Sequence, residues 1–401
     1  MSLSRRVAAK ARHPIRAFRA RAGSLLAGHR RVPDRSPSSV KAETLDLADD
    51  LIRFDPLPAY EALRRSGSVH YLPRHDWWLV LGHEEVKAVF AQPKLYSNEP
   101  YQAVDAVLIG ADPPRHARVR RTVSRLFGPD RLGGIIADVR PVAQGLLRRQ
   151  FDLVGDYAAP FSRAVAARLI GFDEATVAEV VAAADRVKGE PDSLGALTAE
   201  LDRLADRAEL YRQLAGDAAR ELGNAEIRSV VRFLWLASIT TTERVITGCG
   251  LAVLRDPQLA DLLRGRRELI APFVEESMRL APPEHLLPRR ARSAVELGGR
   301  VIPAGATVQL CLTAANRDPG AFEAPAEMRL DRQPNRHLSF GGGAHHCIGA
   351  ALARRAIPIA VEALLDASPC LRPIEPLDAL SWFATPSALT PARCLVALGS
   401  P

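Results

Sequence analysis

The chain has 401 residues, of which 47% are hydrophobic and 25% charged, the composition of a globular protein with a large buried core. No run of 18 or more apolar residues occurs, so we expect no membrane span. The five cysteines are odd in number and widely spaced, which argues against a disulfide framework and predicts a reducing, cytoplasmic location.

The net charge of +8 is concentrated in the first tenth of the chain. Residues 1–41 contain nine arginines and two lysines against one acid, Asp34, so they carry +10 and residues 42–401 carry −2. The body of the protein is therefore nearly neutral, and its charge predicts no nucleic-acid partner.

Residues 1–40 are Arg-rich and poor in acids, like a transit peptide, and we expect a basic, flexible arm. One interpretation is a solvated disordered segment. The other is an arm that contacts an acidic surface, which could belong to anionic lipid, a redox partner or a carrier protein. We expect residues 41–401 to form a single domain.

Short elements are predicted after the arm. A helix is expected at Pro56–Arg65, where proline suits the first turn. Val69–Tyr71 and Trp77–Leu81 alternate in the manner of a hairpin. Another helix is expected at Glu84–Ala91.

A further helix is predicted to start at Asp112, which precedes a pair of prolines. His116 and Arg120 are four residues apart on this helix, so they share a face. Two cationic donors on one face suit a carboxylate, whereas the default interpretation of an Arg-rich helix is a solvated basic face. The helical stretch at 155–222 contains no chemical motif.

The longest apolar-rich helical candidate is Ile227–Leu254, and it contains the run Thr240, Thr241 and Thr242. Three β-branched residues in a row are unfavourable inside a helix, because branching restricts χ1 and the hydroxyls compete for backbone carbonyls. A broken local rule in an otherwise consistent element favours a functional role. The alternative is that the hydroxyls only bond back to carbonyls one turn earlier.

Glu276 and Arg279 are three residues apart on the next amphipathic helix, which should end at Pro282. Such pairs are common on helices, so this spacing alone is weak. Short strands joined by glycine and proline turns are predicted over 288–312.

The sequence around Cys347 is a glycine-rich loop that turns into a helix. Three glycines precede the cysteine, Gly349 follows it, and good helix formers continue to Arg354. Free N–H groups and the helix dipole at such a junction are expected to stabilise a thiolate and lower the pKa of the thiol. A thiolate of this kind can be a nucleophile or a metal ligand.

Three other interpretations of Cys347 are weaker. A buried cysteine acting as a small hydrophobe does not explain the flanking glycines. A phosphate loop would need a Gly-Lys-Ser/Thr sequence, which is absent. A zinc site made of His345, His346 and Cys347 is poor, because adjacent residues do not easily converge on one tetrahedral ion.

The pattern Phe-Gly-x-Gly-x-His-x-Cys-x-Gly-x-x-Leu-Ala-Arg over 340–354 resembles the haem-binding signature of the cytochrome P-450 family, in its bacterial soluble form. The resemblance implies a mainly α fold with small β-sheets and one haem b, with Cys347 as the axial iron ligand. It also places four basic residues on the haem propionates: His116, Arg120, Arg289 and His345. Arg290 is the alternative to Arg289.

The same resemblance gives Glu276 and Arg279 a structural role as a buried pair, completed by Arg332. It also aligns the threonine run with the family pattern Ala-Gly-x-acid-Thr-Thr. Thr241 then occupies the catalytic threonine position, and Thr240 stands where the family has an acid. We expect both threonines to act in catalysis, with proton delivery altered by Thr240.

The resemblance implies a monooxygenase that oxidises, most often hydroxylates, an organic substrate in specialised metabolism. It would use O2 and electrons from an external ferredoxin or reductase, because the chain has no cysteine cluster and no dinucleotide fingerprint. Compact loops on the distal side predict a wide or mobile pocket mouth, suited to a bulky or carrier-tethered substrate. The alternatives are a peroxide-using or non-hydroxylating enzyme, and a helper protein with degraded oxygen activation.

Overall fold

The structure is a computed structural model that describes residues 20–21, 40–187, 193–217, 222–367 and 371–399. The predicted arm lies outside the described residues apart from Ala20, Arg21 and Val40. Its flexibility and its separation from a single domain therefore stay predictions.

The described part of the chain is mainly helical with small sheets, which confirms the predicted fold class. Its α-helices, in chain order, are α1 (Asp50–Phe54), α2 (Leu57–Arg64), α3 (His83–Ala91), α4 (Arg115–Ser124), α5 (Pro129–Gly145), α6 (Ala159–Ile170), α7 (Glu174–Val187), α8 (Ser193–Leu204), α9 (Glu209–Asp217), α10 (Asn224–Arg255), α11 (Pro257–Gly265), α12 (Ile270–Leu280), α13 (Leu312–Ala315) and α14 (Ala350–Ala367).

The strands are short and fall into five small sheets. They are β1 (Ala20–Arg21), β2 (Val69–Leu72), β3 (Trp77–Val80), β4 (Tyr96–Ser97), β5 (Gln150–Asp152), β6 (Leu286–Ala291), β7 (Val295–Leu297), β8 (Arg300–Ile302), β9 (Thr307–Cys311), β10 (Glu327–Met328), β11 (Leu371–Pro373), β12 (Trp382–Thr385), β13 (Ala388–Pro391) and β14 (Leu395–Leu398).

The largest sheet has the order β2-β3-β9-β6-β4, and only its β3–β9 pair is parallel. The predicted hairpin forms its β2–β3 edge. A three-stranded sheet has the order β11-β14-β5, and the remaining strands pair as β12-β13, β7-β8 and β1-β10.

Helix α10 is the centre of the main hydrophobic core and packs against α6, α12 and α14. It ends at Arg255, because Asp256 precedes Pro257 and a residue before proline disfavours the helical conformation. The Asp256 side chain then caps α11 by accepting from the backbone N–H groups of Gln258 and Leu259. This long helix forms one wall of the cavity described below.

A buried ion network fixes the segment that leads to Cys347. Glu276 and Arg279 on α12 are 1% and 0% exposed, and Arg279 Nε donates to Glu276 Oε1 at 2.7 Å. Arg332 Nε donates to the same oxygen at 3.0 Å, so the three predicted structural residues meet. Losing one partner of a buried pair costs about 3–5 kcal/mol, because the other charge is left uncompensated.

Arg279 Nη2 also donates to Glu276 Oε2, and the two Nη atoms donate to backbone carbonyls far along the chain, at Asn316, Pro325 and Glu327. The side chain of Asn316 in turn donates to the Ser339 hydroxyl at 2.9 Å. The segment before the cysteine loop is therefore anchored to α12.

Candidate active site

A cavity lies between α10 and the Cys347 loop and contains about 240 Å³ of space open to the centre of a water molecule. One wall is apolar and comes from several helices and from the loop before α4. Its members include Leu108, Ile109, Phe127, Val165, Leu169 and Phe233. A cavity of this kind, with few polar groups, suits a largely apolar ligand.

Cys347 lines this cavity at the point where the loop becomes α14. Its backbone N–H donates to the Phe340 carbonyl at 2.8 Å. Gly343 has φ +61°, and a Cβ there would stand 1.9 Å from the Phe90 carbonyl oxygen, so only glycine fits against α3. The glycines therefore hold the cysteine at the cavity.

The pKa of the Cys347 thiol does not follow the sequence expectation. The surrounding protein raises this pKa although the residue is exposed to the cavity, and the N–H groups of Gly349 and Ala350 and the charge of Arg120 lower the pKa by less. The predicted lowering is wrong for the protein alone, because desolvation of the anion exceeds the stabilisation by the loop and helix. A metal cation at the sulfur would supply the missing charge.

His116 and His345 lie against each other beside the cavity, with ring centroids 3.8 Å apart. Burial and the charge of Arg120 lower the pKa of His116 to about 4, and burial and His116 lower that of His345 to about 3. Both Nε2 atoms are buried and have no hydrogen-bond partner among the described residues. Two such ring nitrogens call for a ligand that can bond them.

Arg120 and Arg289 line the same cavity. Arg120 Nη2 donates to the His346 carbonyl at 2.6 Å, whereas Arg289 is 5% exposed and lies beside the Tyr101 hydroxyl. Arg290 points elsewhere and binds the Glu99 carboxylate at 2.9 Å. Arg289, rather than its alternative Arg290, therefore reaches the site.

The four basic residues and Cys347 meet in one place, although they come from three distant parts of the chain. Two guanidinium groups and two unpartnered imidazoles suit a ligand that carries carboxylates. A cysteine that lines the same cavity could ligate a metal ion carried by that ligand. The residues present therefore fit a haem, whose iron would face the thiol and whose propionates would face the cations.

The three threonines of α10 differ in whether they line the cavity. Thr241 and Thr242 line the cavity, and the Thr241 hydroxyl donates to the Ala237 carbonyl at 2.7 Å. Thr240 is exposed and does not line the cavity. Glu243 does not line it either, and burial raises the pKa of this carboxyl.

Sequence reasoning missed several polar residues of the cavity, among them Asn98, Tyr101 and Glu284. Asn98 donates through Nδ2 to the Ile109 carbonyl at 2.8 Å and so shapes the loop. Burial raises the pKa of the Tyr101 phenol far above its usual value. Nothing in the local sequence marks these residues, because long-range packing alone brings them to the cavity.

Comparison with known proteins identifies the class of site. The cytochrome P-450 family profile matches residues 217–367. The chain is 31% identical to cytochrome P-450 144 of Mycobacterium tuberculosis, over 90% of this chain and 94% of that protein. It is 32% identical to the cytochrome P-450 monooxygenase PikC of Streptomyces venezuelae, over 83% and 88%.

A solved structure supports the same relationship. It is described as one of the unusual cytochrome P-450-like monooxygenases involved in microbial secondary metabolism, and its TM-score is 0.75. It is 27% identical, and the match covers 83% of this chain and 95% of that one.

The fold and the site thus define a haem-thiolate monooxygenase. The chain belongs to the cytochrome P-450 family, which implies a haem held by a cysteine thiolate. Within the described residues, no helix is long and apolar enough to cross a membrane.

Proposed function

We propose that Cys347 would ligate the iron of a haem b as a thiolate and that four residues would bind its propionates: His116, Arg120, Arg289 and His345. The observation that supports this most is the meeting of the thiol, two guanidinium groups and two unpartnered imidazoles in one cavity. The anchored glycine loop supports the same role for Cys347, since it fixes the sulfur before any ligand binds.

We propose that the reaction is the oxidation, most often hydroxylation, of an organic substrate. The haem, when bound, supplies the binding and activation of O2. The apolar wall orients the substrate and excludes water from the reacting group. We assign proton handling on this side to Thr241, because it lines the cavity and occupies the catalytic threonine position of the family pattern.

Electrons would come from a separate ferredoxin or reductase, in keeping with the lack of a flavin or iron–sulfur motif in the sequence. We propose a role in specialised metabolism, supported by the description of the related solved structure. We also propose a cytoplasmic location, which rests on the cysteine content of the sequence.

The test is the carbon-monoxide difference spectrum of the reduced protein. We expect the red-shifted band of a thiolate-ligated haem in the wild type and its loss in Cys347→Ala. Cys249→Ala is the matched control, since Cys249 is buried in α10 and does not line the cavity. A wild-type spectrum without the thiolate band, or one retained by Cys347→Ala, would contradict the proposal.

A further inference from the structure

Glu284 is the only carboxylate among the described residues that line the cavity, and the proposed function gives it no role. It follows Pro283 in the segment between α12 and β6. Its Oε1 accepts from Arg244 Nη1 at 2.5 Å, and the same nitrogen donates to the Pro283 carbonyl at 2.8 Å. Arg244 lies on α10, three residues after Thr241, so the pair joins two walls of the cavity.

The second oxygen of Glu284, Oε2, receives no hydrogen bond from any described residue. The Glu284 side chain is 37% exposed, whereas that of Arg244 is 16% exposed. The largely buried guanidinium therefore holds Oε1, while the carboxylate remains accessible at Oε2. Burial raises the pKa of Glu284, and the charge of Arg244 opposes this shift.

We propose that Glu284 is a specificity-determining residue, whose open Oε2 accepts a hydrogen bond from a neutral hydroxyl or amide N–H group on an otherwise apolar substrate. A substrate that fills the cavity displaces the water at Oε2. An apolar or acceptor-only substrate leaves that oxygen unsatisfied and binds weakly, whereas a donor replaces the lost water.

Charge balance selects a neutral donor. Arg244 already neutralises Glu284, so an ammonium group on the substrate would add an uncompensated cation to the cavity. A carboxylate on the substrate would face like charge at Oε2. A hydroxyl or amide N–H satisfies the oxygen without changing the net charge.

The inference rests on the proposed function, because it assigns a substrate class to the same cavity. Equilibrium dialysis against the haem-loaded protein tests it with alcohol–ketone pairs of increasing size. These are 2-adamantanol with 2-adamantanone, cyclododecanol with cyclododecanone, and testosterone with androst-4-ene-3,17-dione. In the best-fitting pair, the alcohol should bind the wild type about tenfold more tightly than the ketone, since one satisfied hydrogen bond separates them.

Glu284→Gln sharpens the test. Arg244 requires an acceptor, so the amide oxygen should stay on Arg244 and the amide nitrogen should face the cavity. The alcohol preference should then be lost, because the amide nitrogen donates and the oxygens of the ketone and of the alcohol both accept. The double variant Glu284→Leu with Arg244→Met removes both charges and should abolish the preference, while Glu243→Gln, next to Arg244 but outside the cavity, should keep the wild-type preference.

Three results overturn the inference: a wild type for which no alcohol in the panel binds more tightly than its ketone, a Glu284→Gln variant that still prefers alcohols, or a double variant that still does. The carbon-monoxide band separates this failure from that of the proposed function. A wild type with the thiolate band and no alcohol preference contradicts the role of Glu284 alone. A wild type without the band contradicts the haem ligation itself.

Discussion

The fully buried carboxylate of Asp105 accepts a hydrogen bond from the Ser229 hydroxyl at 2.5 Å and thereby joins the loop before α4 to the start of α10. Its other oxygen accepts from the backbone N–H groups of Leu108 and Ile109, at 2.5 and 2.9 Å. One carboxylate thus holds the two apolar residues that this loop presents to the cavity. These bonds argue against the mobile pocket mouth expected from the short loop.

Asp105→Asn should loosen this loop. An amide cannot accept from both sides, so at least one buried donor loses its partner, and the free energy of unfolding should fall by about 1–3 kcal/mol. Amide hydrogen exchange of Leu108 and Ile109 should become faster. Asp138→Asn, an exposed position on α5, is the control. Unchanged exchange in Asp105→Asn would show that the loop is held by other contacts.

Arg289 and Arg290 are neighbours, but only Arg289 is expected to affect haem retention. Arg289→Gln removes a buried cation from the cavity, so haem transfer to apomyoglobin should become about 10- to 100-fold faster, as expected for a lost charged hydrogen bond. Arg290→Gln removes only contacts to Glu99, Gly305 and Thr307 and should leave the transfer rate near that of the wild type. Equal rates for the two variants would contradict the assignment of Arg289.

The threonines of α10 should differ in the same way. Thr241→Val removes a hydroxyl that lines the cavity, and the share of reductant converted to product should fall about tenfold or more if this hydroxyl handles protons. Thr240→Asp restores the acid of the family pattern, but at an exposed position outside the cavity. We therefore expect no gain in coupling from Thr240→Asp, and a clear gain would place the acid in the proton path after all.

His285 should make stability depend on pH. Burial and the nearby charges of Arg244 and Arg317 lower its pKa to about 4, against about 6.5 in the unfolded chain. The unfolded state therefore binds more protons below pH 6.5, and stability is lost as the pH falls from about 6.5 towards 4.

Urea unfolding at pH 7 and pH 5 measures this effect. The free energy of unfolding should fall by about 1–2 kcal/mol more in the wild type than in His285→Gln, which cannot take up the proton. The comparison between the two proteins removes the contribution of the other histidines. An equal fall in both would show that His285 stays neutral, or is equally charged, in both states.

Local pattern sufficed for much of the fold. The hairpin, helices α2 and α3 and the long α10 lie within a few residues of their predicted bounds, since each depends on periodicity and on proline or glycine at its ends. The helix at Asp112 starts later than expected, at Arg115, because Asp112 and Pro113 each precede a proline and such residues disfavour the helical conformation.

The site residues likewise fall into those that a local motif reveals and those that only long-range packing brings to the cavity. The cysteine loop was identifiable because its residues are contiguous, and the resemblance then pointed to His116 and Arg289 at a distance. Glu284 and Tyr101 could not be found, because neither lies in a motif and both reach the cavity only through packing. The raised pKa of the Cys347 thiol cannot be read from the loop sequence, because the surroundings of the sulfur depend on the whole fold.

The network around Glu276 has a practical consequence for protein engineering. That single carboxylate accepts from side chains of Arg279, Arg332 and Asn335 and from the backbone of Arg329, and it shares no residue with the apolar wall of the cavity. Mutant libraries directed at the apolar wall can therefore change substrate specificity while the network that anchors the segment before the Cys347 loop stays intact.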